Sequence, residues 1–237
     1  MSVSLSNDAI TWEKLPDDFV LDDEPVENID QPLLAAALRE SLELSGLLRE
    51  EMLVASNFGL CATVNGKIVV KAPDWVYVRS VAPLLLPQEV RRSYTPHLEG
   101  EVPAIIMEFL SATEGDEYSV KPTYPPGKWF FYEQVLKVPK YAIFEPIAGL
   151  LEVYQLDSGR YLLQQPEANN RYWISEIDLF LGVWHGTKGQ RTGYWLHWWD
   201  QSGQMLLWGE ELVAQERRLR ERMAAKLREM GINPEDV

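Results

Sequence analysis

Three side chains of this 237-residue chain make chemistry when read in order: Asp74, Glu108 and Lys128. Asp74 follows Pro73 and opens the apolar run WVYV, and Glu108 interrupts Ile105-Ile106-Met107-Phe109, which otherwise reads as a strand buried on both faces. A carboxylate inside such a strand is costly unless it is paired, protonated or bound to a cation, so Glu108 needs a partner. Asp74 can supply one: if the two strands are antiparallel neighbours, both carboxylates reach the same end of the sheet. Two hard oxygen ligands, completed by water and a backbone carbonyl such as that of Phe109, suit Mg²⁺ or Mn²⁺. Two acids, a lysine and a divalent cation are the parts for metal-assisted hydrolysis of a phosphodiester.

The elements that must hold these residues can be read from hydrophobic period and punctuation. PLLAAALRESLELSG is a helix, with Asp30 placed to cap it, Pro32 in its first turn and Gly46 as its stop. From Leu47 to Val78 the texture becomes β, and Asn65-Gly66 between apolar alternations marks a hairpin, because both residues accept positive φ. PAIIMEFL follows as a strand. A helix then runs from after Pro125-Pro126 to before Pro139, and the i+3, i+4 and i+7 rule puts Phe131, Tyr132 and Val135 on the face of Lys128. KYAIFEP is the next strand, and LEVYQL and RYLLQ form a hairpin across Asp157-Ser158-Gly159. Helix, meander, helix, strand is the order of a mixed α/β sheet.

The last third is rich in aromatics and punctuated by glycine, so residues 171–208 read as short strands or hairpins. Packing of a terminal β-layer is the favoured role for Trp195, Trp198 and Trp199; stacking on bases or on sugars would require them to be exposed. Residues 209–237 carry a long helix whose Leu212, Leu219, Met223 and Leu227 fall near helical or heptad spacing. That helix is either solvated or paired with a second chain, as in a homodimer.

Composition narrows the classes. A hydrophobic content of 46% supports a folded chain, and a single cysteine, Cys61, excludes an internal disulfide. No apolar stretch reaches the roughly 18 residues of a membrane span, and the first residues are polar and acidic, so a cytoplasmic protein is expected. The net charge of −14 opposes nonspecific attraction to nucleic acid. It is uneven: residues 1–30 hold nine acids and one base and read as an exposed arm, whereas 216–229 hold six bases and three acids. His97, His185 and His197 lack metal-ligand spacing, and no Walker loop, dinucleotide fingerprint or nucleophile elbow is present.

The ordered set of Pro73-Asp74, an apolar strand ending in Glu108 and a following lysine resembles the PD-(D/E)XK nuclease superfamily. More closely, APDWVYV, PAIIMEFLS, GKWFFYEQVLKVPKYAIFEP and LEVYQLDSGRY resemble the restriction endonuclease family of Uma type, over roughly Leu33 to Trp208. The simplest superfamily pattern has a lysine two residues after the glutamate; Leu110 stands there, and the resemblance instead puts the lysine on the following helix, at Lys128, with Lys121 as a competitor. It also implies a supporting acid on the first helix, best matched by Glu40 and nearly as well by Glu43. The expectation is therefore a restriction-endonuclease-like α/β core over 31–208, with a mixed central sheet flanked by helices, a Trp-rich β extension and a C-terminal helix. Its implied activity is Mg²⁺- or Mn²⁺-dependent cleavage of DNA; the rival is a catalytically silent nuclease scaffold that binds a partner.

Overall fold

The computed structural model describes residues 9–14, 29–84, 86, 90–111, 116–167, 169–231 and 233–234. Its centre is a six-stranded sheet in the order β2-β5-β6-β7-β8-β9. These strands are β2 (Leu53–Ala55), β5 (Trp75–Val78), β6 (Ile105–Phe109), β7 (Lys140–Glu145), β8 (Leu150–Asp157) and β9 (Arg160–Leu163). β6 and β7 run parallel and every other neighbouring pair is antiparallel, so the sheet is mixed. The parallel pair needs a crossover, and the segment between Phe109 and Lys140 supplies it with a helical element. That element opens as α2 (Lys128–Phe130) and continues as a π-helical turn, Phe131–Leu136, ending at Lys137 in the left-handed conformation.

The two faces of this sheet carry different cores because side chains alternate along a strand. Trp75, Tyr77, Ile105, Met107, Phe109, Ala142 and Phe144 pack toward helix α1 (Asp30–Leu44). α1 meets them with Leu34, Ala35, Leu38 and Leu42, an i, i+4 stripe. Val76, Val78, Ile106, Tyr141 and Ile143 face the other way, onto Phe131, Tyr132 and Val135 of the crossover and onto Leu60, Ala62 and Val69. These last three lie on the hairpin β3 (Leu60–Val64) and β4 (Lys67–Lys71), which turns at Asn65 and Gly66 with φ of 52° and 75°. The expected type of turn is thus present, but the run from Lys67 to Val78 is not one strand: it breaks at Pro73, and β4 and β5 belong to different sheets.

Within the segment read as an exposed arm, residues 9–14 stay exposed or half-buried but are tied to the body. β1 (Ile10–Thr11) pairs with β3, Ala9 and Asn65 exchange hydrogen bonds, and Trp12 meets the His97 ring edge-on at 4.7 Å. Residues 1–8 and 15–28 lie outside the described residues.

The aromatic third forms its own antiparallel sheet, β10 (Arg171–Ile174), β11 (Leu179–Lys188) and β12 (Arg191–Trp199), packed on α1. Trp195, Trp198 and Trp199 are buried, and Trp198 Nε1 donates to the Leu38 carbonyl at 3.2 Å. Their burial removes the carbohydrate-stacking reading and leaves packing. Trp208, also buried, donates to Ala37 O at 3.0 Å and starts helix α3 (Gly209–Glu229), which has no buried residue. Among the described residues no helix is long and apolar enough to cross a membrane.

Candidate active site

The register of β5 on β6 pairs Trp75 with Met107, so one step further sets Asp74 opposite Glu108. Directly opposed residues of an antiparallel pair point to the same face. Asp74 Oδ2 accepts the Phe109 backbone N–H at 2.5 Å, which ties the residue before β5 to the end of β6. Glu108 lies on the face of Ile106, opposite to Met107 and Phe109, and is 0% exposed. It therefore points into the layer where the crossover helix packs. Both its oxygens are engaged there: Oε2 accepts from Lys128 Nζ at 2.9 Å and Oε1 from the Tyr132 hydroxyl at 3.0 Å.

The position of Lys128 follows from the residues before it. Gly127 N donates to Lys121 O, and the Ser119 backbone and side chain occupy the place that a Cβ on residue 127 would need. Lys128 and Tyr132 are four apart and reach the same carboxylate, while Phe131, Tyr132 and Val135 bury the helix face beneath them. Glu117 Oε1 stands 3.7 Å from Lys128 Nζ as a second, weaker counter-charge. The π turn brings Glu133 inward too, where it accepts from Tyr161 N at 2.6 Å and from Trp129 Nε1 at 3.3 Å. Its role is to fasten the crossover to β9.

Electrostatics at the site are dominated by dehydration. Burial pushes the Glu108 carboxyl up to about 8, against the pull of Lys128 and with the Asp74 charge adding to the rise. Burial alone would lower Lys128, but the charge and hydrogen bond of Glu108, with the Asp74 and Glu117 charges, together hold the ammonium above its ordinary value. Burial, followed by the Glu108 charge, also raises the Tyr132 phenol, so it stays a hydrogen-bond donor. Dehydration thus favours the neutral form of Glu108.

Phe109 O, the carbonyl singled out with the two acids, accepts from Gln31 Nε2 at 2.7 Å. Gln31 sits in the first turn of α1 and lines, with Pro32, Ala35, Ser56, Asn57 and Asp74, a cavity of about 190 Å³ beside Asp74. α1 thus approaches the site with an amide, and Glu40 is not brought there. Glu40 lies nine residues along the helix, roughly 13 Å further by the rise per residue. Its carboxylate instead takes Gly209 N at 2.9 Å and the Lys188 ammonium. Glu43, the alternative, pairs with Arg39 at 2.8 Å. Lys121 is exposed on the loop, and Lys128 is the lysine that bonds Glu108. Sequence reasoning missed Gln31, Tyr132 and Glu117. Gln31 left a trace, a polar residue in register with Leu34, Ala35 and Leu38; Tyr132 was noticed only as part of an apolar face.

Among the described residues no group of three or more His, Cys, Asp and Glu side chains is arranged to hold a metal ion. What the site offers is two carboxylates and one carbonyl, all hard oxygens. That set fits Mg²⁺ or Mn²⁺, because Mg²⁺ usually keeps several waters and takes only one or two carboxylates from the protein.

Compared with known families, the chain matches the Uma2 model, described as "Putative restriction endonuclease", over residues 15–186 of its 237. The chain belongs to that family, and with it to the PD-(D/E)XK-like nuclease superfamily. The match starts ahead of α1 and stops inside β11, so β12 and α3 lie beyond it. No curated protein matches the chain.

Proposed function

We propose that this family member is a divalent-cation-dependent endonuclease that hydrolyses phosphodiester bonds in DNA, with Asp74, Glu108 and the Phe109 carbonyl holding Mg²⁺ or Mn²⁺ and Lys128 as the catalytic cation. The observation that carries the reading is the fully buried Glu108, opposite Asp74 in register and bonded to Lys128 at 2.9 Å. Carboxylates of raised pKa set beside a second charged group cluster at functional sites.

The chain's own residues have distinct tasks in this mechanism. Gln31 fixes the Phe109 carbonyl, the Phe109 N–H fixes Asp74, and Tyr132 fixes one oxygen of Glu108. Lys128 uses one N–H on Glu108, which leaves donors to orient an attacking water or to meet charge building on the phosphoryl oxygens. A bound Mg²⁺ or Mn²⁺ would supply Lewis acidity toward water and a phosphoryl oxygen. Tyr132 remains protonated and serves as a fixed donor, not a base.

The rival reading, a silent scaffold that binds a partner through α3 or as a homodimer, draws on the engagement of both Glu108 oxygens and on the charge of −14. A lone thiol fits a reducing, cytoplasmic setting for either. Incubation of plasmid and of single-stranded circular DNA at low salt separates them. Cleavage that requires Mg²⁺ or Mn²⁺, stops with EDTA and disappears in Glu108→Gln supports the nuclease. Equal cleavage by both proteins removes Glu108 from the chemistry, and no cleavage by either favours the scaffold.

A further inference from the structure

Two tyrosines on the loop leading into Lys128 stand about half in water although their hydroxyls are fixed. Tyr118 is 48% exposed; its hydroxyl donates to Glu152 Oε2 on β8 at 2.7 Å, and its ring stacks on Trp129 with centroids 6.3 Å apart and planes at 26°. Trp129 is in turn wedged edge-to-face against Tyr141, Tyr154 and Tyr161, so the stack ends on a rigid base. Tyr124 is 54% exposed; its hydroxyl donates to Ile68 O on β4 at 3.2 Å, and Lys67 Nζ lies 4.7 Å from its ring centroid. One ring is anchored on the central sheet and the other on the β3–β4 hairpin, with Lys128 following from the same loop.

A half-exposed aromatic ring that is already immobilised loses little further entropy when another flat ring stacks on it. Folding alone does not require Tyr118 to end an aromatic stack in solvent. Two neighbouring cations suit a phosphate backbone: Lys67 lies beside Tyr124, and the exposed Lys121 lies between the two tyrosines in sequence. The net charge of −14 means that attraction to phosphates is not a sufficient source of affinity. Base stacking is a source that does not depend on charge, and it is open only to nucleotides whose faces are not covered by the stack of a duplex.

We infer that Tyr118, stacked on Trp129, and Tyr124, beside Lys67, form a platform for unpaired bases, and that the substrate of the Glu108–Lys128 site is single-stranded DNA. The substrate assignment rests on the nuclease reading above; the platform itself does not. Stacking on protein aromatics is worth enough per base for loss of one ring to weaken binding by roughly tenfold.

The test is fluorescence anisotropy with a labelled oligothymidylate and a hairpin duplex of equal length, at low salt in EDTA, using the full chain. The expected result is tighter binding of the single strand. Tyr118→Leu and Tyr124→Leu each weaken it about tenfold and leave duplex binding unchanged, and Tyr118→Phe, which keeps the ring, binds as wild type. Photocrosslinking of a bromodeoxyuridine oligonucleotide to the wild-type protein needs no variant, and the adduct is expected at Tyr118, Tyr124 or both. Equal affinity for both DNA forms, no binding of the oligonucleotide, unchanged binding by folded leucine variants, or adducts only elsewhere overturns the platform. Ring-dependent binding without cleavage under any divalent cation keeps the platform and sinks the nuclease. Cleavage lost in Glu108→Gln but kept in both leucine variants, with their binding intact, does the reverse.

Discussion

Replacing Glu108 with glutamine is expected to stabilise the cation-free protein. In the folded state burial lifts this carboxyl from 4.5 to about 8, so between those values the native protein holds a proton that the unfolded chain has released. Stability must therefore fall as pH rises through this window. At neutral pH the gap above 4.5 is worth about 3 kcal/mol at the free-energy value of a pKa unit. Glutamine preserves the shape and can accept from Lys128 while its amide donates to the Tyr132 oxygen. Its amide oxygen is a weaker acceptor for Lys128 than the ionised fraction of the carboxyl, a loss of about 1 kcal/mol. A net gain of about 2 kcal/mol raises Tm by roughly 4–8 °C in a domain of this size. Urea or thermal unfolding of both proteins in EDTA, from pH 5 to pH 8, reads the effect. The difference should be near zero at the acid end and widen with pH. A variant that is less stable than wild type at pH 7–8, or a difference that ignores pH, would refute the account of a dehydrated carboxyl held by its proton.

Four further outcomes follow from the same geometry. Lys128→Met should lower cleavage at least a hundredfold, the scale for removing a transition-state donor, while changing Tm little at neutral pH because Glu108 is then mostly protonated. His197 is fully buried, and burial drives its pKa down to about 3 against an opposing pull from the Leu206 backbone. Its folded pKa is depressed, so its contribution is intact above 6.5 and is lost as pH falls toward 3; His197→Phe should flatten that acid limb in pH-dependent unfolding. Cys61, pushed up to about 11 by burial, should react with a thiol reagent at pH 8 only as fast as the protein opens, so labelling should track the urea transition. Trp208→Ala removes a buried ring that stacks on His197 at 3.9 Å and should cost about 3–5 kcal/mol in urea unfolding.

The site was legible where period and chemistry conflict. A continuous apolar run left no solvent face for Glu108, a charge there demanded a partner, strand order offered Asp74, and the helix face with the family resemblance offered Lys128. Residues whose roles depend on non-local packing were not legible. Gln31 reaches Phe109 only because the first turn of α1 crosses the end of β6, and no local pattern encodes that crossing. Glu40 had the right residue type and helix but lies too far along the axis, where α3 begins. The π turn that sets Tyr132 and Glu133 inward together has no compositional mark, since it reads locally as an ordinary helix. The docking of Ile10 and Thr11 onto β3 was hidden for a related reason: two-residue pairing is too short to show a period. The hairpins and the buried tryptophans were readable because turn residues and apolar density act locally.

The most direct test of the central claim is Mn²⁺ binding followed by electron paramagnetic resonance on wild type, Asp74→Asn, Glu108→Gln and Lys128→Met. If Asp74 and Glu108 share a cation, wild type binds a single Mn²⁺, both acid variants lose it, and Lys128→Met retains it while losing cleavage. Equal Mn²⁺ binding by wild type and both acid variants, or none by wild type, would contradict a cation site at this carboxylate pair.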